Sequence, residues 1–192
     1  MNVSDWIIRK STSLVTVSTL ILFLGFTATV LPAQSEKARA QSGDISPDMS
    51  FFLTVESLYE IAESYGEEGR LAYVKARFTF DLVWPIVYTL FLASGISWLY
   101  SRSFSTDSII QRANLVPVIG MVLDYIENIT ASIVMLRYPT QTPIVDLATV
   151  IVTSIKWMFV GGSFLVLVIG LVRYGFERIS VLNSFSRANE RQ

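Results

Sequence analysis

Three polar side chains able to bind protons or cations interrupt a long apolar run in this 192-residue chain. Asp124, Glu127 and Asn128 lie near the middle of residues 115–136, which otherwise have the composition of a membrane-spanning helix. Their i, i+3 and i+4 spacing places all three on one helical face. Because carboxylates inside a membrane span are energetically costly, we expect this face to look into a helical bundle, toward neutralising partners or water.

Two further apolar runs also carry polar residues. In residues 78–100, Asp81 precedes Pro85 by four positions, so the proline should kink the helix and leave the Asp81 carbonyl without its N–H partner. Trp84 and Tyr88 follow on the same face as Asp81. Anchoring at the membrane interface is the alternative role for these two aromatic residues.

The fourth run, residues 143–172, contains a polar stripe. Its members Asp146, Thr149, Thr153 and Lys156 recur at i, i+3, i+7 and i+10 and therefore share one side of a helix. With antiparallel neighbours and a rise of about 1.5 Å per residue, this stripe should overlap in depth with the polar residues of the other runs.

We therefore predict one ligand- or ion-binding cluster in the outer half of a membrane bundle, with no catalytic residue and no metal site assigned. Its predicted members are Asp81, Asp124, Glu127, Asn128 and Lys156, with Tyr88, Thr149 and Thr153 on its edge. Three carboxylates against one ammonium leave a charge of −2 if all are ionised. Because unpaired charge in low dielectric costs several kcal/mol per ion, a carboxylate should be protonated, a cation bound, or water admitted.

Three kinds of function remain open for such a cluster. The first is binding or transport of a small ligand, a proton or a cation, and four spans are few for a complete carrier, so transport implies a homo-oligomer. The second is an intramembrane enzyme acting on lipid, with Asp124 or Glu127 as acid and base. The third is a structural or assembly partner, with Tyr59, Tyr65 and Tyr73 on its contact surface, whose polar cluster only fastens the helices, although such pairs contribute only about 0.6–2 kcal/mol each.

The composition predicts the fold class. Only 16% of the residues are charged, against about a quarter in a soluble domain. Four apolar runs approach or exceed the roughly 20 residues that a helix needs to cross a bilayer. They predict an all-α, four-transmembrane-helix bundle in one membrane domain, residues 1–192, with spans at 14–31, 78–100, 115–136 and 143–172.

The residue types that are missing exclude several kinds of chemistry. The chain has no Cys and no His, which excludes disulfides, thiol redox chemistry and the usual zinc, haem and iron–sulfur ligand sets. We predict no cofactor. The net charge of −1 gives no basic field for nucleic acid.

Residues 32–77 form the main polar segment. Its composition predicts a flexible stretch up to Ser50. Residues 54–65 then show the periodicity of an amphipathic helix with an acidic face, which favours capping of the bundle over binding to anionic lipid. Gly66 is the expected stop, and a second helix should start near Glu67 and run without a break into the second span.

The N-terminus is predicted to be cytoplasmic. Arg9 and Lys10 precede the first apolar run, and counting Lys and Arg around all spans puts eight on the side of both termini and six on the other. This predicts a multi-pass protein of the cell membrane with residues 32–77 outside. A signal peptide cleaved within residues 1–40 is the alternative to a first span.

Three smaller expectations concern helix ends and surfaces. Asn114 is expected to cap the third span. Gly161, Gly162 and Gly170 offer surfaces for close helix packing. No pattern after Arg173 predicts a fold.

Several residues between positions 58 and 157 form a combination that can be compared with known families. They are Tyr65-Gly66, Gly69-Arg70, Tyr73, Asp81, Pro85 and Tyr88, followed by Pro117, Asp124, Glu127 and Asn128. The combination resembles a family of small four-span prokaryotic membrane proteins for which no activity is known. The resemblance implies a membrane location and supplies no chemistry.

Overall fold

The computed structural model describes residues 2–42 and 46–189, and within these ranges the chain forms helices and no strand. A π-helical turn, Phe26–Val30, joins the second and third helices, and 3₁₀ turns occupy Pro47–Met49 and Ile109–Leu115. The α-helices are α1 Val3–Lys10, α2 Ser13–Gly25, α3 Leu31–Ser42, α4 Val55–Ser64, α5 Gly66–Arg77, α6 Phe80–Ser103, α7 Val116–Arg137 and α8 Pro143–Asn189.

Four helical segments of the described chain are long and apolar enough to cross a membrane. They are Ser13–Ala40, Gly66–Ser103, Ile109–Arg137 and Pro143–Ser180. This is the organisation of a multi-pass membrane protein, and it confirms the predicted all-α four-helix bundle. Each predicted span lies within one of these segments.

The polar stretches next to the spans contain more helix than predicted. The stretch after the first span was expected to be flexible, but α3 extends to Ser42 because its Ala, Gln, Glu, Lys and Arg residues are good helix formers. At the other end, α8 continues well beyond Arg173, where an i, i+4 ion pair with Glu177 at 3.1 Å supports the helix. The N-terminal α1 starts at a capping box between Asn2 and Asp5.

The capping helix is confirmed. Thr54 caps α4, in a reciprocal pair of hydrogen bonds with Ser57. After α4 the chain turns at Gly66, whose φ of 60° lies in the left-handed region that favours glycine. The predicted continuous helix from there into the second span is wrong, because α5 and α6 are separated at Phe78 and Thr79. The Thr79 backbone, with φ −128° and ψ −79°, departs from helical values, and its hydroxyl donates to the Lys75 carbonyl at 2.7 Å.

Apolar side chains form two separate cores, one at each end of the bundle. The cap core joins α4, α5 and α7, and its buried residues are Leu53, Leu58, Ile61, Ala62, Tyr65, Tyr73, Ala131, Val134 and Met135. The bundle core lies between α6 and α8, and its buried residues are Tyr88, Phe91, Leu92, Ile96, Leu99, Tyr100 and Leu167. Along α5, α6 and α8 the buried charged residues fall between these two cores, so the two apolar clusters bracket the polar layer.

Asn114 does not cap the third span, contrary to expectation. It is fully buried, and its Nδ2 donates to the Ser4 carbonyl at 3.1 Å and to the Ser97 hydroxyl at 2.9 Å. Its Oδ1 accepts from the Ser4 hydroxyl at 2.8 Å. The amide is therefore used to fasten α1 and α6 to the turn before α7, because an unpaired buried amide would cost more than an unfilled cap.

The three glycines of the fourth span differ in their surroundings. A Cβ at Gly170 would lie 2.7 and 3.1 Å from ring atoms of Tyr100, whereas one at Gly161 or Gly162 would meet nothing within 4 Å. The Tyr100 ring cannot easily move, since its hydroxyl donates to the Val166 carbonyl at 3.0 Å. Close packing is thus confirmed at Gly170 and wrong for the other two.

This difference gives a matched pair of substitutions. Gly170→Ala should lower the free energy of unfolding by about 1–3 kcal/mol, because the new methyl group overlaps the Tyr100 ring. Gly161→Ala should be neutral or stabilising by up to about 1 kcal/mol, because alanine is the better helix former. Unfolding of both variants in detergent micelles measures the difference, and equal effects would contradict the close contact.

Candidate functional site

A buried ion pair links α7 to α8. The Lys156 ammonium contacts the Glu127 carboxylate, and the Thr153 hydroxyl donates to the other carboxylate oxygen at 2.5 Å. Glu127 is 1% exposed and Lys156 is 5% exposed. The helical spacing within each segment makes this possible, since Thr153 and Lys156 lie one turn apart on the same face of α8.

Asp124 lies on the other side of Lys156. Its Oδ1 is 3.8 Å from the Lys156 ammonium, and its Oδ2 accepts a hydrogen bond from the Tyr88 hydroxyl at 3.0 Å. Tyr88 is buried in the bundle core, so it is not an interfacial anchor. One lysine thus serves two carboxylates that lie one helical turn apart on α7.

Asp81 pairs with a residue that the sequence interpretation did not include. Its Oδ2 lies 2.9 Å from Arg77 Nε, an i, i+4 pair across the break between α5 and α6. The second carboxylate on Arg77 is Asp48, whose Oδ2 lies 2.9 Å from Nη1. The spacing of Arg77 and Asp81 was visible in the sequence, whereas Asp48 comes from a stretch predicted to be flexible and carried no signal.

The backbone of Asp48 joins these two groups of charges. Its carbonyl accepts from Trp157 Nε1 at 2.9 Å and from the Lys156 ammonium at 3.5 Å. The result is one continuous set of side chains, called here the charged network. It consists of Asp48, Arg77, Asp81, Asp124, Glu127 and Lys156.

The charged network has an excess of acid. Four carboxylates face two cations, so the charge is −2 when all six groups are ionised. The exposed fraction of these side chains runs from 1% at Glu127 to 20% at Asp48. This net charge of −2 equals the one predicted from the sequence for three carboxylates and one ammonium. The two additional members, Asp48 and Arg77, have opposite charges and cancel each other.

Side chains of α7 donate hydrogen bonds to the backbone carbonyls of the turn before Pro85. Asn128 Nδ2 donates to the Asp81 carbonyl at 3.3 Å, and the Tyr125 hydroxyl donates to the Leu82 carbonyl at 2.9 Å. The predicted unpaired carbonyl therefore does receive a partner from the neighbouring helix. Asn128 contacts the backbone of α6 here, and its Oδ1 makes no hydrogen bond within the described part of the chain.

The remaining edge residues lie beside the charged network. Thr149 is fully buried, but its hydroxyl donates to the Val145 carbonyl at 2.8 Å and thus stays within α8. Asp146 belongs to a separate contact with the cap, where the Tyr59 hydroxyl donates to it at 3.0 Å. In the described ranges, no three acidic side chains are arranged to hold a metal ion.

The link between Pro85 and Asn128 can be tested with a double-mutant cycle. Asn128→Ala should lower the free energy of unfolding by about 1–3 kcal/mol, because it leaves the Asp81 carbonyl unpaired. In a Pro85→Ala background the same substitution should cost less, since alanine supplies the missing N–H. Ser132→Ala, which removes an intrahelical bond to the Asn128 carbonyl, is the control and should cost the same in both backgrounds. Equal costs for Asn128→Ala in both would contradict the assignment.

Asp48 gives a second prediction, in its pH dependence. Burial alone would raise the pKa of its carboxyl, but the charges of Arg77 and Lys156 and the Ser46 hydroxyl lower it to about 2. The contribution of Asp48 to stability is therefore complete above pH 3.8 and is lost as the pH falls toward 2. The difference in melting temperature between the protein and Asp48→Asn should stay constant from neutral pH to about 4 and shrink below it. Exposed Asp107→Asn is the control, and a difference that already shrinks near pH 6 would contradict the prediction.

Comparison with protein-family models, with curated proteins and with solved structures finds no match to this chain. No activity or ligand can therefore be carried over from a relative. The function has to be argued from the charged network and its surroundings, which the two apolar cores enclose.

Proposed function

We propose that this protein is a multi-pass membrane protein that binds protons at the charged network. The observation that supports this most strongly is the excess of two carboxylates in a group whose side chains are 1–20% exposed. Each unpaired ion in such surroundings costs several kcal/mol. Uptake of two protons removes the excess without any additional space.

The local contacts favour particular carboxylates as the proton carriers. Glu127 accepts from both Lys156 and Thr153, so both of its oxygens already have donors. Asp124 has Tyr88 as the donor on one oxygen, and its other oxygen is 3.8 Å from the ammonium, which leaves room for a proton. Asp124 is the carrier on the Lys156 side.

On the Arg77 side the carrier is Asp81. The low pKa of Asp48 keeps that carboxylate ionised at neutral pH. Arg77 therefore neutralises Asp48, and Asp81 remains as the carboxyl that holds the second proton.

Aromatic residues support a position of the charged network near one membrane boundary. Trp98 donates to the Ser13 hydroxyl at 2.9 Å and its ring lies 5.2 Å from that of Tyr174, so three helices share a level that suits a membrane interface. Eighteen residues of α8 separate Tyr174 from Lys156, about 27 Å at about 1.5 Å per residue. Since the hydrocarbon layer is about 30 Å thick, Lys156 lies near its opposite boundary, on the cap side.

The interior between these two levels favours binding over passage. The bundle core fills the space between α6 and α8, and Phe23 stacks between Trp84 and Phe91 with ring centroids 5.7 and 4.8 Å apart. No polar path through this part is provided by the described residues of one chain. Protons therefore reach the site from the cap side, which the count of basic residues assigns to the exterior, with both termini cytoplasmic. Transport would need a homo-oligomer with a path between its copies.

The assembly-partner alternative loses its proposed surface. Tyr65 is 8% exposed and Tyr73 is 4% exposed, so both belong to the cap core and are not available to a partner. Tyr59 also points inward, toward Asp146 and the Thr142 backbone. The tyrosines predicted to form a contact surface are structural.

Infrared difference spectroscopy on the protein in lipid nanodiscs tests the proposal. At neutral pH and without added cations, the protein should show two protonated carboxyl groups. Asp124→Asn or Asp81→Asn should each remove one of them, because each substitution removes one acidic group from the excess. Asp146→Asn is the matched control, a buried carboxylate outside the charged network, and should leave both signals in place.

Other outcomes select among the alternatives. Absence of protonated carboxyl groups at neutral pH would overturn proton binding. Loss of the signals on adding sodium or calcium would favour a cation as the bound species. If the amide variants fold but the signals persist, the protonated groups are not Asp124 and Asp81, and the assignment is wrong. If the amide variants fail to fold, the charged network fastens the helices. A lipid pool that changes on overexpression of the protein, but not on overexpression of its Asp124 or Glu127 amide variants, would favour the enzyme alternative.

A further inference from the structure

A short segment without α-helix covers the charged network from the cap side. Residues 46–53, called here the latch, connect to the start of α4 and contain the turn Pro47–Met49. The latch is held by Asp48 on Arg77, by the Asp48 carbonyl on Trp157 and Lys156, and by Ser154, whose hydroxyl donates to the Phe51 carbonyl at 3.2 Å. The side chains of Arg77 and Lys156, taken without their backbone atoms, are 11% and 6% exposed beneath it.

The attachment of the latch is mainly polar. Pro47 and Leu53 are buried, but Phe51 is 45% exposed and Phe52 is 85% exposed. The two rings contact each other edge to face, with centroids 5.0 Å apart. Segments with few buried apolar contacts open at a lower free energy than the core around them. The latch can therefore open while the bundle stays folded.

A second observation favours the entry of water beneath the latch. The Tyr73 hydroxyl and Asn128 Oδ1 are buried and make no hydrogen bond within the described residues. The Tyr73 ring lies under the Arg77 guanidinium, 4.5 Å from its centroid to the guanidinium carbon. Buried polar groups of this kind are normally satisfied, often by water. Both side chains contact the charged network, since the Tyr73 ring lies on Arg77 and Asn128 donates to the Asp81 carbonyl.

We propose that the latch is a gate on the proton site, and that Asp48 is its fastening. In the closed state Asp48 lies on Arg77 and shields Lys156 and Glu127 from solution. In the open state water from the cap side reaches these groups and exchanges protons with Asp81 and Asp124. This inference rests on the proposed function, since it names the control of the same site.

The gate and the proton are coupled through Arg77. When Asp81 carries a proton, the charge of Arg77 neutralises Asp48 alone, and the latch is held firmly. When Asp81 is ionised, both carboxylates share the single positive charge of Arg77 and repel each other, and the latch loosens. Because coupling is reciprocal, latch closure and proton binding favour each other. Alkaline pH therefore opens the latch.

Other charged and titratable groups face Asp48 and enter this balance. Each element packed near it contributes at least one, and they are Tyr65 before α5, Tyr73 and Arg77 on α5, Asp81 on α6, Asp124 and Glu127 on α7, and Lys156 on α8. The cations are Arg77 and Lys156. Asp81 is the carboxyl that shares a cation with Asp48 directly, so its protonation has the largest effect on the latch.

The absence of cysteine from the chain makes the gate directly testable. Thr153→Cys, on α8, places a thiol beside Glu127 beneath the latch. Ser97→Cys places an equally buried thiol on α6, toward the end of that helix that lies away from the latch. With a small water-soluble thiosulfonate, adding Asp48→Asn should speed modification at position 153 on the order of tenfold and leave position 97 unchanged. An unchanged rate at position 153 would overturn the gate.

A covalent lock separates opening from mere loosening. Phe51→Cys with Ser154→Cys, joined by a short bifunctional thiosulfonate, should hold the latch closed, since the Ser154 hydroxyl donates to the Phe51 carbonyl and the two positions are neighbours. Cross-linking should slow the return of the carboxyl signals after a pH jump at least tenfold, and reduction of the cross-link should restore the rate. Thr19→Cys with Ser94→Cys, whose hydroxyls are 2.8 Å apart between α2 and α6, is the control pair and should have no effect. Proton exchange that is equally fast in the locked protein would overturn the proposal.

The two proposals fail in different ways. If the charged network carries no protons but Asp48→Asn still exposes position 153, the latch stands and the proton-binding function falls. If protons bind but position 153 stays protected in Asp48→Asn and exchange is insensitive to the lock, the function stands and the gate falls.

Discussion

The ion pair between Glu127 and Lys156 is the constraint on which the rest of this structure depends. It places a lysine of α8 against a carboxylate of α7 at 1% and 5% exposure, where neither charge could remain without the other. The antiparallel packing of these two helices fixes its depth. Asp124 and Thr153 are then brought to the same level by helical spacing alone. Every other member of the charged network is arranged around this pair.

A second feature of the charged network is that its four carboxylates are shared between two cations. Lys156 and Arg77 each serve two carboxylates, and the backbone of Asp48 bridges them. A network with balanced charge would be a plain fastener. The surplus of acid distinguishes this one, because protons can relieve it, and this surplus is the basis of the proposed function.

The sequence contains enough information for the four spans and for the half of the charged network that lies on regular helices. Asp124, Glu127 and Lys156 could be placed because spacing along a helix determines its face. The open carbonyl at Asp81 followed from the chemistry of proline alone. In each case a short-range rule was sufficient.

The sequence could not reveal what depends on how distant segments meet. Asp48 joins the network from a turn whose position is set by contacts with α5 and α8, and Asn114 bonds a residue more than a hundred positions away. The break at Phe78 and Thr79 was missed because no proline or glycine marks it in the sequence. Gly170 and Gly161 look alike in sequence and differ only in whether Tyr100 stands opposite.

The composition of the cap core has a consequence for biogenesis. Leu58 and Tyr73 precede the second span, but their partners Ala131 and Val134 belong to the end of the third. During synthesis the apolar side chains of Leu58 and Tyr73 therefore remain uncovered until α7 has been synthesised. The cap core is therefore completed only after the third span has been made, although most of its residues are synthesised before the second.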